Sequence, residues 1–322
     1  MKHRAYESGP ISQIDKFLIV GNSNRRGLSK AANSLAQFIS EETTKDVEIV
    51  ESGRNVEESV DRLVQRGVAE TPTAIVILGG DGTINHTLEA TRIIDNPYAY
   101  NIITDYYGGA RDISYNIKKQ TPKKYPQLLE YNLSSLEEAS IYPIEVDINE
   151  NKRAVAYNVF SIGRTALMAA QINKVRQKIS GPRAYRIVRE TLSIVDAKLL
   201  TTPVFQAKEY GARYDEFLNI QDLIATKSER FGLIFKSDIN ILNREFGIYE
   251  FDDISASILG RIITQRKFKP DLRAKNDQAV SYTVIGENLM AQTDGEVDLL
   301  EEKENLISFK NAVKPAKILI ST

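Results

Sequence analysis

Ala74-Ile75-Val76-Ile77-Leu78-Gly79-Gly80-Asp81-Gly82-Thr83 is the stretch whose reading decides the fold. A short continuous apolar run rich in β-branched residues suits a parallel strand buried on both faces. The glycines after it let backbone amides approach an anion closely. Ile84-Asn85-His86-Thr87-Leu88-Glu89-Ala90 then spaces its apolar residues, 84 and 88, as a helix does. A strand, a glycine turn and a helix N-terminus together make an anion site, with N–H groups and the positive dipole end facing phosphate. Asp81 alone would repel phosphate, so its presence points to a magnesium ion or to a hydroxyl that must be oriented. An ordinary β-α turn that uses Gly and Asp for their backbone geometry accounts for the same local pattern.

Outward from this turn, strand and helix signals alternate through the first 140 residues. Lys16-Phe17-Leu18-Ile19-Val20 reads as a strand and 21–27 as a polar turn. Apolar residues at 31, 35, 38 and 39 mark a helical face. Val47-Glu48-Ile49-Val50 reads as a strand, 56–67 as a helix with Gly67 as its stop, and Asn101-Ile102-Ile103-Thr104 as a fourth strand. A second glycine turn follows, Tyr107-Gly108-Gly109-Ala110-Arg111-Asp112. Such alternation predicts a doubly wound parallel sheet with ligands at the strand carboxyl ends.

From about residue 140 the rhythm changes. Ile144-Glu145-Val146-Asp147-Ile148 and a strand over 153–162 flank Asn149-Glu150-Asn151, a hairpin signal. A helical insert is expected over 165–200, and short strands at 231–235, 246–249, 280–285, 289–293 and 306–309. This half reads as antiparallel β with helices, so the fold class is α/β: a parallel-sheet nucleotide domain (1–139 with 312–322) and a β-rich, sandwich-like domain (140–311).

Composition narrows the function. The 322 residues carry 42 basic and 43 acidic side chains, which gives no electrostatic case for nucleic acid. There is no cysteine, hence no disulfide, thiolate metal site or cysteine nucleophile, and two histidines cannot supply a multi-histidine metal site. Residues 1–10 lack an apolar signal region and no stretch approaches 18 apolar residues, so a cytoplasmic chain without a membrane span is expected. Oligomeric state is left open, a homo-oligomer included.

The motifs resemble those of the diacylglycerol/sphingosine-type lipid kinase family, whose first domain is similar to NAD kinases and phosphofructokinases. Gly79-Gly80-Asp81-Gly82-Thr83 with Ile84-Asn85 resembles the family's GGDGT-x-N phosphate turn. Gly108-Gly109-Ala110-Arg111-Asp112 sits where GTxND is expected, and Tyr157-Asn158 with Ser161-Ile162-Gly163 resembles N-x-x-S-x-G. Gly181-Pro182-Arg183-Ala184-Tyr185 resembles G-x-x-AY, Asp294-Gly295-Glu296 the late DGE element, and Val313-Lys314-Pro315-Ala316 the closing strand. Order and spacing hold over roughly residues 15–320, which is more specific than one glycine turn.

The resemblance implies ATP-dependent phosphoryl transfer to a lipid hydroxyl in a cleft between the domains, with transient contact at a membrane surface. It also implies that the last strand returns to the first domain. Gly79, Gly80, Asp81, Gly82, Thr83 and Asn85 would hold the nucleotide, with Gly108, Gly109 and Asp112. Ser23, Asn24 and Arg25 in the first loop would add contacts. Asp81 and Asp112 would hold Mg2+, directly or through water. Asp294 would accept the lipid hydroxyl's proton, with Glu296 beside it and Asp81 completing the catalytic set. If Asp294 and Glu296 lie on one strand they share a face; in a tight turn that geometry fails, and Asp-Gly is a strong hairpin-turn signal.

The chain departs from the family pattern at several places. Its first loop lacks the usual proline, His86 replaces a glutamate, Gly109 and Arg111 replace the threonine and asparagine of GTxND, and Thr165 replaces an aspartate. Arginine for asparagine is not isosteric. These changes keep two other readings open beside the lipid kinase: a non-catalytic nucleotide- or lipid-binding relative, and an NAD kinase sharing GGDGT.

Overall fold

The apolar run becomes β3 (Thr73–Leu78), with all six residues buried. The structure, a computed structural model, describes residues 10–21, 28–104, 112–120, 133, 136–176, 204–210, 216–231, 235–252 and 269–321. The chain divides into two units, Met1–Ile141 with Lys314–Thr322, and Tyr142–Val313.

In the first unit β1 (Lys16–Gly21), α1 (Leu28–Thr43), β2 (Asp46–Glu51), α2 (Val56–Gln65), β3, α3 (Asp81–Ile94), β4 (Ala99–Ile103) and α4 (Asp112–Gln120) alternate. β5 (Leu136–Ile141) and the C-terminal β20 (Ala316–Ser321) complete a six-stranded sheet in the order β2-β1-β3-β4-β20-β5. β1 pairs in parallel with both β2 and β3, β3 with β4, and β4 with β20; β5 runs antiparallel to β20. Strands 1, 3 and 4 are almost wholly buried because helices can cover both faces of a parallel sheet. The chain leaves β1 toward one side for β2 and returns to the other side as β3. The point of reversal lies at the carboxyl ends of β1 and β3, where open α/β sheets bind ligands.

The second unit is a sandwich of two six-stranded antiparallel sheets. One runs β10 (Leu218–Ile220), β9 (Phe205–Glu209), β16 (Val280–Ile285), β19 (Glu304–Asn311), β6 (Ile144–Ile148), β7 (Lys152–Ala156). The other runs β15 (Leu272–Lys275), β14 (Glu245–Phe251), β11 (Asp222–Thr226), β8 (Val159–Gly163), β17 (Met290–Thr293), β18 (Glu296–Leu299), with α5 (Arg164–Arg176) following β8. Alternate residues of both sheets, such as Phe160, Ile162, Phe246, Tyr282 and Phe309, form one core. Phe160 and Tyr282 both meet the Phe309 ring edge-on, at centroid distances of 5.6 and 6.3 Å.

Two expectations need correction here. The strand expected over 153–162 is two strands, β7 and β8, parted at Tyr157-Asn158. The amides of both residues bond to the Asp294 carboxylate instead of to a neighbouring strand. The strand expected over 231–235 is a pair, β12 (Arg230–Phe231) and β13 (Phe235–Lys236), with Phe231 opposite Phe235. The helical insert is described only as α5; its remainder, with 181–185, lies outside the described residues.

Candidate functional site

The glycine turn forms as its residues require. Gly79 is packed against the first turn of α3: a Cβ there would lie 2.5 Å from Thr83 Cβ. Gly80 is the N-cap residue of α3 in extended conformation, and no side chain among the described residues caps that end. The first-turn N–H groups are therefore left to solvent or to an anion. Gly82 is exposed, and a Cβ added to it would meet nothing within 4 Å. Asn85 Oδ1, buried one turn on, has no hydrogen-bond partner among the described residues.

Asp81 has a partner that the sequence does not reveal. Its carboxylate accepts the amides of Asp112 (2.9 Å) and Ile113 (3.3 Å), at the start of α4. It thereby supplies a negative charge to the N-terminus of a helix other than its own, where the macrodipole favours one. The charge that would repel phosphate is met by these amides, and the starts of α3 and α4 are brought side by side. Asp81 and Asp112 are both buried, 7% exposed each. Among the described residues no group of three or more His, Asp or Glu is placed to hold a metal ion. Ser23, Asn24, Arg25, Gly108, Gly109 and Arg111 lie outside the described residues.

In the second unit Asp294 and Gly295 are the two turn residues between β17 and β18, with φ of 51° and 97°. Positive φ at both positions is the type I′ geometry that Asp-Gly favours. The tight-turn case therefore applies. Asp294 lies in the turn, whereas Glu296 opens β18 and is exposed, so the two carboxylates do not share a strand face. The Asp294 carboxylate accepts three amides, from Tyr157 (2.7 Å), Asn158 (2.9 Å) and Val159 (2.8 Å). Its own amide donates to Val159 O at 2.8 Å, and Asn173 Nδ2 of α5 donates to Gly295 O at 2.8 Å. The late DGE element and the N-x-x-S-x-G segment, more than 130 residues apart, thus form one hydrogen-bonded unit.

Two buried charged side chains escape sequence reading. Asp222 is fully buried, and its Oδ2 accepts the Thr165 amide (3.0 Å) and the Thr165 hydroxyl at the start of α5. Burial pushes its carboxyl well above the usual range, against the Thr165 bonds and the nearby Arg164 charge. At the Thr165 departure, then, a carboxylate reaches the helix start from β11. Lys227, also fully buried, donates to Asn243 O (2.8 Å), Glu245 O (2.6 Å) and Asn311 Oδ1 (3.0 Å). Burial lowers its pKa from 10.5 to about 7. The one available signal is a lone Asp and a lone Lys in the otherwise apolar and neutral run Leu218 to Ser228.

A parallel sheet with an uncapped glycine turn at its reversal point, and an antiparallel sandwich inserted ahead of the last strand, define the fold. It is the fold of a diacylglycerol kinase from Bacillus anthracis str. Sterne, with TM-score 0.62 and 13% identity over 95% of this chain and 97% of that one. Yeast NADH kinase, solved in complex with NADH, is also similar, with TM-score 0.54 and 12% identity over 96% and 84%. No family profile and no curated protein sequence matches the chain. Among the described residues no helix is long and apolar enough to cross a membrane.

Proposed function

We propose that this chain transfers a phosphoryl group from ATP to the hydroxyl of a lipid such as a diacylglycerol or a sphingoid base. The observation that carries the reading is the uncapped start of α3 at the β1/β3 reversal point, with Gly79 demanded by packing and Gly82 facing open space. Backbone N–H groups there would take the nucleotide phosphates. Asp81 and Asp112 would hold a magnesium ion, which neutralises phosphate charge during transfer. In the second unit Asp294, oriented by three amides, would receive the acceptor's proton. The likeness to a diacylglycerol kinase structure supports a lipid acceptor over a dinucleotide.

The test is transfer of label from ATP, with magnesium, to dioctanoylglycerol and sphinganine in mixed micelles and to NAD in parallel. Label in one lipid class is the expected result. Label in NAD alone, or no transfer by a chain that binds ATP, overturns the reading in favour of a dinucleotide kinase or a non-catalytic relative.

A further inference from the structure

Thr226, the last residue of β11, is fully buried and stands opposite Val159 of β8. Its hydroxyl donates to Asn158 O at 2.8 Å and accepts the Ser228 amide at 3.1 Å. A carbonyl can only accept, so the hydroxyl hydrogen must point at Asn158 O. The Lys227 amide donates to the same oxygen at 2.9 Å. Asn158 O and the Val159 N–H belong to one peptide unit. That N–H, at 2.8 Å, is one of the three that hold the Asp294 carboxylate.

The links all run in one direction. From the Ser228 N–H the chain passes through the Thr226 hydroxyl and the Asn158–Val159 peptide to Asp294 Oδ1. Peptide resonance couples the two ends of that unit, so an oxygen that accepts two bonds makes its N–H a better donor. Such polarisation strengthens each bond by about 10–30%. Thr226 and Ser228 are both fully buried, so water does not compete for these groups. We propose that Thr226 is a positioning residue for Asp294, its hydroxyl strengthening through one peptide the amide bond that fixes this carboxylate.

The effect is chemical as well as geometric. A donor that bonds the ionised form more strongly favours that form. With the Thr226 hydroxyl in place, the carboxylate stays charged to lower pH and keeps one orientation. The role in transfer rests on the reading of Asp294 as the group that receives the proton; the hydrogen-bond chain does not. A valine fills the volume of Thr226 but can neither donate nor accept. Ionisable residues on the elements that meet the turn are Tyr157, Lys174 of α5, Lys227 of β11, and Glu296 and Asp298 of β18. Thr226→Val changes the charge of none of them.

The experiment is magnetic resonance of the isotope-labelled full chain, without ATP, beside a pH–rate profile for transfer from ATP to dioctanoylglycerol. In wild type the Thr226 hydroxyl proton should give its own slowly exchanging resonance; its absence would overturn the chain without any variant. In Thr226→Val the Val159 amide proton should move upfield, as for a weaker bond. The acid limb of kcat should move up by about 0.3 pH unit, the equivalent of that fraction of one bond to a charged group. Thr226→Ser, which keeps the hydroxyl, should restore both. An unmoved Val159 amide, or one displaced equally in both variants, would overturn the chain and leave the kinase reading standing. A displaced amide with an unmoved acid limb would sustain the chain and remove Asp294 as the proton acceptor. A displaced amide in a protein that transfers no phosphate would sustain the chain and refute the kinase.

Discussion

Lys227→Met should remove a rise of stability with pH that wild type shows. The unfolded chain holds the Lys227 proton up to about 10.5, the folded chain only up to about 7. Between those values the unfolded state binds more protons, so this group makes stability rise with pH. A depression of that size corresponds to about 5 kcal/mol over the whole window and to about 2.5 kcal/mol between pH 6 and pH 9. At pH 9 the folded-state amine is neutral and shares two N–H groups among three buried acceptors, Asn243 O, Glu245 O and Asn311 Oδ1, so the methionine variant loses two hydrogen bonds at about 1 kcal/mol each. It should therefore be about 2 kcal/mol less stable than wild type at pH 9 and within about 1 kcal/mol of it at pH 6. Urea unfolding followed by tyrosine fluorescence across this range measures the gap. Three acceptors are one more than the N–H bonds of a neutral amine, a geometry that fits the ammonium. A gap that stays constant with pH would mean that these bonds offset burial and would refute the argument.

The two glycines of the turn should separate packing from binding. Gly79→Ala, with its Cβ 2.5 Å from Thr83 Cβ, should cost about 1–3 kcal/mol in thermal unfolding. Gly82→Ala should leave the Tm unchanged yet weaken ATP binding tenfold or more, and wild-type affinity would remove the turn from the phosphate site. Asp294→Asn can satisfy two of three amides while its NH2 faces the third, so a loss of about 1–3 kcal/mol in urea unfolding should accompany any loss of transfer. For Asp222 the raised carboxyl retains its proton after the unfolded chain has lost its own, so wild-type stability falls as pH rises above the ordinary carboxylate range. Asp222→Asn should lack that decline, as Tm values at pH 5 and pH 8 will reveal.

The parallel sheet was legible because its strands are short apolar runs punctuated by glycine, and helices bury them on both sides. β5 was not, since only its end residues Leu136 and Ile141 are buried and Glu137, Glu138, Ala139 and Ser140 between them offer no large apolar side chain. β11 escaped for the opposite reason: Asp222 interrupts an apolar stretch in which every residue is buried, which erases the period-two signal. At the site, residue types could be read but their partners could not. Asp81 meets amides 31 and 32 residues away, and Asp294 meets amides at least 135 residues away. No local pattern encodes which backbone a carboxylate will find. The sequence placed a carboxylate at Asp81 and inferred a metal; the fold adds a helix start as its immediate neighbour.

β20 occupies an interior position of the first sheet, between β4 and β5, and Asn101 Nδ2 of β4 bonds to Lys317 O within it. During synthesis the first unit can assemble β1 to β4 as soon as they emerge, but β5 has no neighbour in the sheet until residues 316–321 arrive. The sandwich, encoded in between, is complete before that. A chain truncated short of residue 316 would thus carry every strand of the second unit and a first unit with an open edge at β4. Quality control acting on nascent chains would find its exposed strand there, and the last six paired residues act as the closing latch of the first-made unit.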